Sequence, residues 1–305
     1  LIGVDMKRLP LLQDTDKIGK GLTAKAREET GLVEGTPVFG GCDDVQSAVV
    51  GSGMCGDGEV HIYLGTSAWV AAPSRTANKF MHGAAAIQSA DPEMNLIAGI
   101  TEAAGSNIQW ICDQFFKHEK AELGEGIYEY MDSVIHTVPA GSDHLICTPW
   151  MLGERCPVSS TTTRATLFNI SPTHTREHLM RAVYEAAYNL RWILENYRKD
   201  YGFEGNNFRI IGGGALDKGW MQIIADVTGC NFSVVKNPRN ARAGSAIIAL
   251  IGLGELKSFA TPRISCRLGA VQADPANKAI YDKLFSDYKT LYAALRKPYI
   301  KANSR

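Results

Sequence analysis

The residues best suited to chemistry lie in two neighbouring segments of the first quarter of the chain. Residues 40–53 read Gly-Gly-Cys-Asp-Asp-Val-Gln-Ser-Ala-Val-Val-Gly-Ser-Gly, and Asp44 stands where a short strand gives way to a helix of small apolar residues. A carboxylate in this position can accept a proton from a hydroxyl group or hold a divalent metal through water. The alternative is that Asp43 or Asp44 only caps the helix, because aspartate is a preferred N-cap residue.

The second segment supplies hydrogen-bond donors. Residues 59–72 predict two strands joined at Gly65, Thr66 and Ser67. The backbone amides and two hydroxyls of this turn can bind phosphate oxygens, although an ordinary polar hairpin turn is the alternative. A carboxylate followed by a phosphate-binding turn is what a phosphotransferase needs to deprotonate a hydroxyl beside bound phosphates.

A third motif occurs in the last third of the chain. Residues 208–218 predict a strand that ends at three consecutive glycines, followed by a helix. Such a turn lets the backbone approach a nucleotide and aims helix amides at phosphate. A dinucleotide-binding Gly-x-Gly-x-x-Gly motif would need glycine at position 217, where Asp217 stands, so the sequence disfavours that class.

With these motifs the chain resembles the FGGY family of carbohydrate kinases, the group that includes glycerol kinase, xylulokinase and gluconokinase. The resemblance extends over about residues 8–295. It implies an α/β fold, namely an actin-like ATPase (ribonuclease H-like) domain with a mixed sheet and helices on both faces. It also implies transfer of the γ-phosphoryl group of ATP, with Mg²⁺, to a hydroxyl of a sugar or polyol, such as the ketose xylulose.

The resemblance assigns roles to individual residues. Asp44 is the implied catalytic base and, through water, the implied metal ligand. The implied ATP contacts are Gly65, Thr66 and Ser67 at the phosphates, Gly105 and Gln109 on the next helix, and Gly213, Gly214, Ala215 and Lys218 around the adenosine. Close helix packing is the alternative for Gly105. Many members carry Asn or Gln after the aspartate, where this chain has Val45, so the sugar is left open.

The resemblance also divides the chain into a connector at residues 1–35, a nucleotide-binding domain at 36–260 and a helical tail at 261–305. The family's N-terminal domain, with most sugar contacts, is then expected to precede Leu1. The tail carries an aromatic stripe from Tyr281 to Leu295, a pattern typical of a core. Because the family's final helix returns toward the first domain, we also expect this face to be exposed or paired with a second copy in a homodimer.

Helical periodicity predicts the scaffold between the motifs. Residues 101–116 predict one helix, and the longest helix is predicted to start near Thr173 or Thr175 and to bury a stripe as far as Tyr197. Glu185 lies off that stripe, and the helix is interpreted as scaffold. Residues 117–140 are charged and predict a surface helix pair of little chemical consequence.

The amino-acid composition argues against some classes of binding partner. The 305 residues are 45% hydrophobic and carry 32 basic and 32 acidic side chains, so they can bury a large core but show no electrostatic footprint for nucleic acid. The longest apolar run, residues 246–253, is too short to span a membrane. Seven scattered cysteines without a Cys-x-x-Cys pair indicate reduced thiols in the cytoplasm.

Two other classes remain open. One is a nucleotide-binding pseudokinase or regulatory module of actin-like fold that performs no catalysis. The other is an actin-like ATPase or chaperone relative, which would share the phosphate-binding turns but would not need Asp44 at the end of a glycine-rich strand. An upstream Asp-x-Gly-Thr-type turn would favour the kinase.

Overall fold

The fold is built on a mixed β-sheet. The computed structural model describes residues 3, 5–9, 12–76, 82–235, 240–259 and 267–304. The strands in these residues are β1 (Ile18–Gly21), β2 (Pro37–Phe39), β3 (His61–Leu64), β4 (Ala68–Ser74), β5 (Ala85–Gln88), β6 (Asn95–Ile100), β7 (Ile146–Thr148), β8 (Thr166–Phe168), β9 (Asn207–Ile211), β10 (Asn231–Val235) and β11 (Arg267–Val271). The expected boundary between domain and tail, at residues 260 and 261, lies outside the described residues.

The large sheet has the strand order β11-β10-β9-β3-β4-β6-β5. Strands β3 and β9 pair in parallel, as do β9 and β10, whereas the other neighbours are antiparallel. Two small sheets, β1-β2 and β7-β8, lie apart from it. The sheet is therefore mixed, as the sequence predicted.

Helices connect and cover the strands. They are α1 (Ala24–Thr30), α2 (Asp44–Ser52), α3 (Gly105–Phe115), α4 (Lys117–Leu123), α5 (Ile127–Ile135), α6 (Arg176–Tyr184), α7 (Tyr188–Tyr201), α8 (Lys218–Thr228), α9 (Asn240–Gly252) and α10 (Lys278–Asn303). A short 3₁₀ turn, Glu185–Ala187, separates α6 from α7. Within the described ranges, no helix combines the length and the apolar composition that crossing a bilayer requires.

Strand side chains alternate between two helical layers. On β3, Ile62 and Leu64 join the large core that contains residues of α3, α7 and α8. Tyr63 points the other way, stacks on Trp69 and packs against the cluster that contains Val49 of α2. Because successive strand residues face opposite sides, both faces of the sheet are covered by helices.

The aromatic stripe of α10 packs against α7. Tyr281, Phe285 and Tyr288 are buried, and the ring of Tyr188 on α7 contacts all three. The prediction that the stripe forms core is confirmed. The expectation of an exposed or chain-paired face is wrong for these three side chains, because α7 covers them. A homodimer stays a prediction.

A buried ion pair lies at the break between α6 and α7. Arg181 Nε donates to Glu185 Oε1 at 2.7 Å, and the two side chains are only 8% and 1% exposed. Glu185 also accepts hydrogen bonds from the Tyr281 hydroxyl at 2.8 Å, from Gly141 N–H at 2.9 Å and from the Ser142 hydroxyl at 2.9 Å. The Glu185 carboxylate thus connects the break between α6 and α7 to α10 and to the loop before β7.

Replacing Arg181 by Met should lower the free energy of unfolding by about 3 kcal/mol, because Glu185 would stay buried without its charged partner. The double variant Arg181→Met/Glu185→Gln should recover part of that loss, since it removes both charges. Chemical denaturation measures both effects. A double variant less stable than Arg181→Met alone would contradict this account of the pair.

Candidate functional site

A cleft opens where two parallel strands end. Ile62 of β3 lies opposite Ile210 of β9, so the carboxyl ends of both strands reach the same edge of the sheet. From there β3 continues into the turn at residues 65–67, and β9 continues into Gly212. Ligands of open α/β sheets commonly bind at such an edge.

The two strand ends meet at Gly212. Its φ angle is 104°, and a Cβ atom built there would lie 2.2 Å from the carbonyl oxygen of Leu64. A side chain is excluded by both the backbone conformation and the contact, so only glycine fits. A Cβ atom built on the next residue, Gly213, would have nothing within 4 Å. Gly212 holds the turn in place, and Gly213 leaves its backbone open.

This strand-end cleft has a volume of about 770 Å³, a size typical of small-molecule sites. Seven of the predicted nucleotide-contacting residues line it, namely Gly65, Thr66, Gly105, Gln109, Gly213, Gly214 and Lys218. Ala215 is buried, and Ser67 and Asp44 are not among the lining residues. The structure thus brings three segments together at one cleft, namely the turn after β3, the start of α3 and the glycine turn after β9, and their contacts with a nucleotide stay a prediction.

The turn predicted to bind phosphate is held by the first amides of α3. Gly105 N–H donates to the Gly65 carbonyl at 2.9 Å, and Ser106 N–H donates to the Thr66 carbonyl at 3.1 Å. The amide of Gly65 donates to the Ser67 carbonyl at 2.9 Å. These amides are therefore used within the protein rather than held free for phosphate. Thr66 is exposed, lines the cleft and brings a hydroxyl to its wall.

The cleft wall at the start of α8 carries two carboxylates beside Lys218. Asp217 caps α8, because its Oδ1 accepts a hydrogen bond from Trp220 N–H at 2.9 Å. Asp132 of α5 accepts a hydrogen bond from Gly219 N–H at 2.8 Å. The interpretation that α8 aims these amides at phosphate is wrong, since two carboxylates already occupy them.

Helix α5 belongs to the site although its sequence did not indicate this. Tyr128, Glu129 and Asp132 line the cleft, so the expectation of little chemical consequence for residues 117–140 is wrong for this helix. The available signal was the four-residue spacing of the buried Ile127 and Met131. Docking of that apolar face turns the neighbouring polar residues toward the cleft.

The carboxyl group of Asp217 has a raised pKa. Burial is the main cause that raises the pKa of this carboxyl to about 6; the hydrogen bond from Trp220 N–H opposes the shift, and the charge of Asp132 adds to it. A carboxyl with a raised pKa binds more protons in the folded protein than in the unfolded chain. Its contribution to stability is therefore complete at acidic pH and is lost as the pH rises.

We expect Asp217→Asn to flatten the pH dependence of stability between about pH 4 and pH 6. Across this window the free energy of unfolding of the wild type should fall by on the order of 1 kcal/mol more than that of the variant. Asparagine is also a good N-cap residue, so α8 should keep its start. Thermal or urea unfolding at a series of pH values measures this, and parallel profiles would contradict it.

Asp44 stands at the start of α2 and is exposed. The cap of this helix is Asp43, whose Oδ1 accepts a hydrogen bond from Gln46 N–H at 2.7 Å. The capping alternative therefore applies to Asp43 and leaves the Asp44 carboxylate accessible. Val45 packs in the same cluster as Tyr63, and Tyr63 lines the cleft. Asp44 precedes Val45 at the start of α2 and is not itself among the residues that line the cleft.

The fold and the cleft define the class of this domain. A mixed sheet with helices on both faces and a ligand-sized cleft at the strand ends is the actin-like ATPase, ribonuclease H-like, fold that the sequence predicted. The model of the FGGY family of carbohydrate kinases, C-terminal domain, matches residues 60–253. The chain belongs to that family.

Individual relatives agree with this assignment. A xylulose kinase of Bacillus subtilis is 26% identical over 287 residues, which cover 93% of this chain and 56% of that protein. A gluconokinase of the same species is 24% identical over 263 residues, with 85% and 51% covered. The crystal structure of a xylulose kinase from Rhodospirillum rubrum superposes with a TM-score of 0.86 at 28% identity, over 97% of this chain and 59% of that one. This chain spans about half the length of these relatives.

Proposed function

We propose that this chain is the nucleotide-binding part of a kinase that transfers the γ-phosphoryl group of ATP to a hydroxyl of a sugar or polyol. The observation that carries this proposal is the strand-end cleft, which joins the turn after β3, the start of α3 and the glycine turn after β9 in one nucleotide-sized space. The names of the relatives, xylulose kinase and gluconokinase, favour a ketose such as xylulose or a sugar acid as the acceptor. Val45 leaves the particular sugar open.

The polarity of the cleft supports one orientation of ATP. Thr66 brings its hydroxyl to the wall at the turn after β3, whereas Asp132 and Asp217 place carboxylates at the start of α8, where Lys218 also lines the cleft. The triphosphate belongs at the turn that contains Thr66, where a hydroxyl donor rather than a carboxylate faces it. The adenosine then lies along the open backbone of Gly213 and beside Lys218.

Asp44 is the proposed general base. The acceptor hydroxyl would hydrogen-bond to its exposed carboxylate, which takes the proton as the oxygen attacks the γ-phosphorus and ADP leaves. Phosphoryl transfer depends mainly on positioning and on stabilisation of charge. The cap at Asp43 keeps the first turn of α2, and with it Asp44, in a fixed place.

Mg²⁺ is the metal ion that we propose binds together with ATP. Across the described part of the chain, no three His, Cys, Asp or Glu side chains are grouped to hold a metal ion. Mg²⁺ in kinases commonly keeps several waters and binds one or two carboxylates together with substrate phosphates. Asp44 fits this pattern as a carboxylate that contacts the ion through water. Bound Mg²⁺ would neutralise charge on the phosphates.

A second domain is the proposed partner. The curated relatives are almost twice as long as the matched region, so we propose that an FGGY N-terminal domain supplies most sugar contacts and closes over the acceptor. The cysteines in the described residues, Cys42, Cys55, Cys112, Cys147, Cys156 and Cys230, are all free thiols. Free thiols are typical of a reducing compartment, which supports a cytoplasmic kinase.

Calorimetric titration of the chain with Mg·ATP tests nucleotide binding. Gly213→Leu should weaken binding at least tenfold, because the new side chain would stand in the cleft without striking protein atoms near its Cβ. Gly269→Leu is the matched control, since Gly269 on β11 has equally open space. Equal affinities for Gly213→Leu and wild type would place the nucleotide elsewhere.

Catalysis by Asp44 is tested in a protein in which an FGGY N-terminal domain precedes this chain. Asp44→Asn should lower kcat by about 10²- to 10⁴-fold while the Kd for ATP stays unchanged, because the base is lost but the cleft is intact. Asp43→Asn is the matched control, and it should keep activity because asparagine also caps helices. Full activity in Asp44→Asn would contradict the proposed base.

A further inference from the structure

The cleft wall at the start of α8 has a feature that phosphoryl transfer does not explain. Asp132 reaches across from α5 to α8 and accepts a hydrogen bond from Gly219 N–H at 2.8 Å through Oδ1. Its side chain is 37% exposed and lines the cleft. His136 Nε2 lies 3.8 Å from the same oxygen, beyond hydrogen-bond distance. The Asp217 carboxyl also contacts the Asp132 side chain. Because an ionised carboxylate has about four acceptor positions, Asp132 keeps acceptor capacity in the cleft beyond these contacts.

The position of Asp132 is tightly fixed. A Cβ atom built on Gly219 would lie 2.1 Å from Asp132 Oδ1, so the absence of a side chain at Gly219 is what allows the carboxylate to approach α8. From the other side, α5 is held by its buried apolar residues, among them Met131. A carboxylate fixed from two sides is preorganised for recognition.

Charge decides which part of a nucleotide can lie there. Asp132 and Asp217 occupy the amides of Gly219 and Trp220, so these two amides are not available to phosphate. The residues that line the cleft include three carboxylates, Glu129, Asp132 and Asp217, against one cation, Lys218. A triphosphate beside these two carboxylates would be repelled. The uncharged nucleoside is the part that fits.

Hydrogen-bonding capacity then identifies the ribose as the part of the nucleoside that Asp132 can bind. An ionised carboxylate only accepts hydrogen bonds, and ribose offers two adjacent hydroxyl donors. Hydrogen bonds to a charged acceptor are stronger than those between neutral groups. We propose that Asp132 is a specificity-determining residue that accepts hydrogen bonds from the ribose hydroxyls of the nucleotide, an inference that rests on the proposed kinase function.

The test compares four probes by calorimetry on the 305-residue chain: Mg·ATP, Mg·2′-deoxyATP, Mg·3′-deoxyATP and inorganic tripolyphosphate. Wild type should bind ATP about tenfold more tightly than at least one deoxy analogue, the ratio expected for one charge-assisted hydrogen bond. In Asp132→Asn this preference should fall below about threefold. Tripolyphosphate should bind this variant at least as well as wild type, because a negative charge has been removed.

Two further variants separate recognition from folding. Asn at position 132 can still accept the Gly219 hydrogen bond, so α8 should keep its start. Gly219→Ala displaces the carboxylate instead and should reduce the same preference while tripolyphosphate binding is kept. Asp287→Asn, at an exposed carboxylate of α10, removes the same charge outside the cleft and should leave all four affinities unchanged.

The outcomes separate this inference from the proposed function. Equal binding of ATP and both deoxy analogues by wild type, or an undiminished preference in Asp132→Asn, would overturn the role of Asp132 and leave the kinase proposal intact. Binding of no nucleotide by folded wild type would overturn the nucleotide site itself, and the ribose role with it. Loss of the preference in Asp132→Asn but not in Asp287→Asn would support it.

Discussion

The close approach of Gly212 to the carbonyl of Leu64 is the constraint on which the site depends. It joins the ends of β3 and β9, so the turn at residues 65–67 and the turn after Gly212 lie side by side. Helix α3 is hydrogen-bonded to the turn at residues 65–67, and α8 follows the turn after Gly212. The cleft is the space left between these elements, and a side chain at position 212 would force the strand ends apart.

The second property of the cleft is the uneven distribution of hydrogen-bond donors and carboxylates along its wall. Five amides of the turns and helix starts around the cleft are hydrogen-bonded within the protein: those of Gly65, Gly105 and Ser106 to backbone carbonyls, and those of Gly219 and Trp220 to carboxylates. The cleft wall has the Thr66 hydroxyl at the turn after β3 and the Asp132 and Asp217 carboxylates at the start of α8. The orientation proposed for ATP places its anionic triphosphate beside the hydroxyl and its uncharged ribose beside the carboxylates.

Much of this arrangement could be predicted from the sequence because its signals are local. Alternation and turn residues located β3, β4 and β9, and the glycine motifs located the cleft. Helix α3 starts at Gly105 rather than at residue 101, because Thr101 N–H bonds to Ala68 and continues the β-ladder. The predicted longest helix breaks at Glu185–Ala187, where distant residues hold the Glu185 carboxylate.

The cleft wall at the start of α8 could not be predicted, because its defining contact joins Asp132 to Gly219 across 87 positions of the chain. The most direct measurement is a crystal structure of this chain with Mg²⁺ and a non-hydrolysable ATP analogue. Our account predicts the triphosphate beside Thr66 and the ribose within hydrogen-bond distance of Asp132. A triphosphate at the α8 end, or a nucleotide bound outside the strand-end cleft, would contradict it.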